Sequence, residues 1–62
     1  MTLSDFVTGL GLELRLRAVP FDRGELEAWA AAVWSLAEDD PDPIRWAEAF
    51  LAARQTEGGT RG

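Results

Sequence analysis

The sequence predicts a small α+β domain, mostly helical, of order α-β-α-α, with one strand that pairs with another chain. Three observations predict it. Residues 12–19 read Leu-Glu-Leu-Arg-Leu-Arg-Ala-Val, an alternation of period two, whereas the other ordered segments repeat with the period of a helix. The chain has 62 residues and neither cysteine nor histidine. A lone strand leaves a row of backbone N–H and C=O groups unpaired along each edge. A domain this short buries only about 60% of the surface its unfolded chain exposes, and needs a disulfide, a metal or a partner to compensate. Without cysteine or histidine the first is excluded and the second nearly so. Both arguments lead to a second subunit, and a homodimer is expected.

The elements follow in order. Leu3, Phe6, Val7 and Leu10 fall at i, i+3, i+4 and i+7, the apolar stripe of a short helix. Thr2 and Asp5 are spaced as a capping box, and Gly9 and Gly11 offer a C-terminal stop. The strand then sets Leu12, Leu14, Leu16 and Ala18 on one face and Glu13, Arg15, Arg17 and Val19 on the other, and Pro20 closes it. Asp22 with Glu25 begins a second helix, expected over residues 23–38, with Leu26, Trp29, Val33 and Leu36 as its core stripe. The acidic break of residues 38–43 ends it, Asp42 caps a third helix, and Pro43 takes its first position. From Ile44 onward Ile44, Trp46, Ala47, Phe50 and Leu51 cover an apolar arc of about 160°. Residues 1–54 therefore form one domain, and residues 55–62, with three glycines and no apolar side chain, a disordered tail.

The net charge of −5 disfavours nucleic acid and anionic membranes, where clustered Lys and Arg supply the binding energy. No apolar run approaches the length of a membrane span, nothing resembles a signal peptide, and a cytoplasmic location is expected. The alanine- and arginine-rich composition suggests a bacterium with GC-rich coding. Without His, Cys, Lys or Tyr the chain lacks the usual general bases and most covalent nucleophiles, so no catalytic residue and no enzyme is expected. The one carboxylate run, Glu38, Asp39, Asp40 and Asp42, lacks the spacing of a calcium loop and reads as helix capping. No metal or cofactor is expected.

What remains is association. Strand 12–19 is the expected contact: Leu12, Leu14 and Leu16 pack inward on the helices, and Glu13, Arg15 and Arg17 select the partner. Trp34 and Trp46, on helix flanks, are added as contact residues because aromatics serve both cores and interfaces. The order strand-helix-helix over residues 12–54 resembles the ribbon-helix-helix family of DNA-binding repressors, in which paired strands enter the major groove. That resemblance implies a transcriptional regulator, the alternative to a protein-binding module. Against its pattern, a helix precedes the strand, and Asp39, Asp40 and Asp42 stand where that family meets a phosphate. Residues 1–20, with Leu3, Phe6, Val7 and Leu10 before Gly11-Leu12-Glu13-Leu14, are also similar to the opening of TubC-type docking domains of nonribosomal peptide synthetases. This second likeness implies a dimer that captures a partner tail on an exposed strand.

Overall fold

In the computed structural model residues 1–59 are described, and they form three helices, α1 (Leu3–Leu16), α2 (Arg23–Ala37) and α3 (Pro43–Gly59). Among the described residues there is no strand. The α+β expectation is overturned, and with it the intermolecular strand at residues 12–19: residues 12–16 continue α1, and Arg17 caps it. The physical reason lies in which leucines are buried. Leu14 extends the helical series Leu3, Phe6, Val7, Leu10 by another four residues and is fully buried, whereas Leu12 and Leu16 are 56% and 83% exposed. Leu, Glu and Arg are strong helix formers, and residues 12–18 contain no β-branched residue. Glu13 and Arg17 add an i,i+4 ion pair, Nε to Oε2 at 2.8 Å.

The glycines expected to stop the first helix run through it, and neither has a positive φ. They thin it instead. A Cβ on Gly9 would lie 3.0 Å from Pro43 Cγ, and one on Gly11 3.4 Å from Phe21 Cζ. The helix ends only at Leu16, and the chain turns off it at Ala18, whose φ of 58° is left-handed. There the Ala18 N–H donates to the Arg15 carbonyl at 2.9 Å and the Val19 N–H to the Leu14 carbonyl at 3.0 Å. These are the two bonds of a Schellman closure, and Val19 folds back onto the core.

The helix starts match the expectations closely. Thr2 and Asp5 form the complete capping box: the Asp5 N–H donates to Thr2 Oγ1 at 3.2 Å and the Thr2 N–H to Asp5 Oδ2 at 3.3 Å. Asp22 Oδ2 accepts from the Glu25 N–H at 2.9 Å, and Asp42 Oδ1 from the Ile44 N–H at 3.1 Å. Each such cap satisfies a donor that the helix itself cannot. The expected tail, residues 55–62, overlaps the end of α3 and otherwise lies outside the described residues.

Helix α1 packs along both α2 and α3. Its buried line, Phe6, Val7, Leu10 and Leu14, meets Leu26, Ala30 and Ala37 of α2 and Ala47 and Phe50 of α3. Burying a large apolar side chain of this kind contributes roughly 1.5–3 kcal/mol. Five rings form a continuous chain through the core. Trp34 lies 5.3 Å from Phe6, Phe6 6.3 Å from Trp46, Trp46 6.2 Å from Trp29, and Trp29 5.3 Å from Phe50. Tilted and edge-on pairs at these separations are favourable beyond their buried area. Leu36 and Ile44, expected in the core, are instead 70% and 55% exposed. Ala37, turned about 100° from Leu36, takes the inward position on α2.

Candidate interaction surface

The residues singled out on 12–17 are redistributed by the helix around three sides of α1. Leu14 goes to the core. Glu13 and Arg17 go to the side facing α3, where Arg17 Nη2 also reaches Glu48 Oε2 at 3.4 Å. The hydrogen bond to Glu13 is the main cause that raises the Arg17 pKa above its ordinary value; Glu48 adds to it, and partial desolvation opposes it. Leu12, Arg15 and Leu16 go outward. A strand would have placed Arg15 and Arg17 together; on the helix they diverge, so no basic row forms. The ribbon-helix-helix likeness loses its ribbon, and the docking-domain likeness its exposed strand.

Trp34 and Trp46 are half-buried in the ring chain, away from this outward face. Trp46 is also anchored by its indole, Nε1 donating to the Asp40 carbonyl at 2.8 Å. The acidic break is engaged locally, with Asp40 Oδ2 3.1 Å from Arg45 Nη1 and Asp42 capping α3.

Beside the outward face of α1 a groove of about 410 Å³ runs between α1 and the start of α2, under the connection at residues 19–21. Val7, Gly11 and Leu26 form its floor, Val19, Pro20 and Phe21 one wall, and Leu12, Arg15 and Arg23 its rim. Gly11 keeps that floor open, since its missing side chain would point at Phe21. The connection is held from the far side by Arg54, whose Nη1 donates to the Pro20 carbonyl at 2.9 Å while its guanidinium lies 5.6 Å from the Phe50 ring centre.

Among the described residues the Arg15 side chain has no hydrogen bond or ion pair. Arg17, Arg23, Arg45 and Arg54 each have one. Arg23 is tied only by an exposed pair with Glu27 on the same helix, at 3.0 Å, a contact typically worth about 0.3–0.5 kcal/mol. The expected strand 12–19 contains Leu12, Arg15, Leu16 and Val19 but passes over Phe21 and Arg23, which line the groove. The Glu13–Arg17 spacing was the available signal, because an i,i+4 pair implies a helix and hence an outward face at 12, 15 and 16.

No protein family, characterised protein or solved structure compared with this chain matches it. Among the described residues no helix is long and apolar enough to cross a membrane.

Proposed function

We propose that this protein is a small non-enzymatic interaction module, an accessory subunit or adaptor, that binds another protein through the outer face of α1 and the adjoining groove. One observation carries the reading. Leu12 and Leu16 stand exposed one turn apart beside Arg15, which has no ion pair among the described residues, on a helix whose opposite side is wholly committed to the core. Apolar side chains with a guanidinium at their edge are the composition of protein contact surfaces, where Arg is enriched and burial of apolar area supplies affinity. The non-enzymatic part rests on the chemical inventory: carboxylates are the only groups left for acid-base work, and several of them cap helices or pair with arginine. The absence of cysteine and the composition fit a bacterial cytoplasm.

An affinity experiment tests the reading. Tagged wild-type protein and a Leu12→Asp/Arg15→Glu variant are used to capture proteins from a lysate of the source cells. Both positions are exposed, so the helical circular dichroism should be the same for the two. The wild type should retain at least one protein that the variant releases. Identical recovery would contradict the assignment of this face.

A further inference from the structure

We propose that the partner of this face is a second copy of the chain, its α1 packed antiparallel against the first about a two-fold axis level with Leu10; this rests on the interaction reading above. Asp5, Thr8, Leu12, Arg15 and Leu16 are all exposed, and at 100° per residue they share an arc of about 100° on the outside of α1. About such an axis, Asp5 comes level with Arg15 of the second copy and reaches it across the seam, and Thr8 comes level with Leu12. The symmetry repeats each contact, so one interface holds two Asp5–Arg15 pairs. Between them the two Leu12 side chains lie about 6 Å apart along the helices, close enough to pack on each other.

The charges choose the orientation. A parallel pairing would set Asp5 against Asp5 and Arg15 against Arg15, which charge complementarity forbids. Arg15 is free to take a carboxylate, having none among the described residues. Asp5 has one to give: Oδ2 accepts from the Thr2 N–H at 3.3 Å, while Oδ1 makes no hydrogen bond among the described residues. Thr8, between them, turns its hydroxyl back on its own helix, Oγ1 donating to the Ser4 carbonyl at 3.0 Å, so the middle of the face requires no polar partner. An interface of one helix pair is small, and the dimer belongs to the weak, reversible class.

Sedimentation velocity on the full chain at about 0.5 mM, a concentration suited to so small an interface, should show a species of twice 6.8 kDa. Arg15→Glu turns both ion pairs into repulsions and should raise the dimer dissociation constant about tenfold or more, with unchanged circular dichroism. Adding Asp5→Arg to that variant should restore association. Because Asp5 also serves the capping box, Leu12→Gln supplies an independent check at an exposed site, and it too should weaken the dimer. A wild type that stays at 6.8 kDa, or an Arg15→Glu variant that associates as the wild type does, overturns the proposal. The capture experiment judges the wider interaction reading separately, since a strictly monomeric chain that still retains another protein would reject only the self-pairing.

Discussion

Replacing Ala18 by glycine should stabilise the protein. Ala18 closes α1 at a φ of 58°, where the Cβ of an L-residue crowds the following carbonyl, at a cost of roughly 1–2 kcal/mol. Glycine removes that strain and returns part of the gain, about 0.4–1 kcal/mol, as extra freedom of the unfolded chain. The side chain at 18 is exposed, so no core contact is lost. The expected net gain is about 1 kcal/mol, which for a domain of this size raises Tm by about 4–8 °C. Thermal unfolding followed by circular dichroism, with a urea titration as a second measure, reads it directly. In a strand the same change would weaken the element by about 0.5–1 kcal/mol. A fall in Tm for Ala18→Gly would refute the left-handed closure and reopen the strand.

Gly11→Ala should raise stability by up to about 1 kcal/mol, because the site is helical and its new Cβ meets Phe21 only at ordinary contact distance, 3.4 Å. Gly9→Val should lower it by about 1–3 kcal/mol, since Pro43 already stands 3.0 Å from the first added atom; urea midpoints for the pair would test both signs. Phe6→Ala removes a fully buried link of the ring chain at a cost of about 3–5 kcal/mol, against a total of about 3–9 expected for a domain of this length. Red-shifted tryptophan emission with a large loss of helix at 25 °C is the expected result. Stability should be nearly flat between about pH 6 and about pH 9, because the chain has no His, Cys or Lys side chain to titrate there. The raised Arg17 pKa works the same way: its contribution is complete below the unfolded pKa and is lost only as pH climbs through the higher folded one. A urea midpoint that drifts strongly across that window would contradict this.

Helix starts were legible because capping is local chemistry: Thr2 with Asp5, Asp22, and Asp42 before Pro43 each announce an N-terminus within four residues. The inward residues of α1 and most of those of α3 were legible from their spacing. The end of α1 was not. A leucine at every second position satisfies a strand, yet Leu14 alone also satisfies the helix, and only the docking of α2 and α3 on Leu10 and Leu14 decides between them. The glycines misled for a related reason. Gly9 and Gly11 look like a stop until Pro43 and Phe21 are seen pressed against them, contacts from residues far along the chain. Leu36 continues the spacing of Leu26, Trp29 and Val33, and nothing local reveals that the small Ala37 beside it takes the buried place while Leu36 stays exposed. The outward face that carries the proposed function follows from that same correction, since Leu12, Arg15 and Leu16 become neighbours only when residues 12–16 are helical.

That helix is therefore the claim to measure. Backbone nuclear magnetic resonance of residues 12–17 reports it residue by residue. Downfield Cα shifts with i to i+3 contacts through Leu16, and a positive φ coupling pattern at Ala18, are the predicted result. Upfield, extended-type Cα shifts across residues 12–19, with cross-strand contacts between chains, would contradict it.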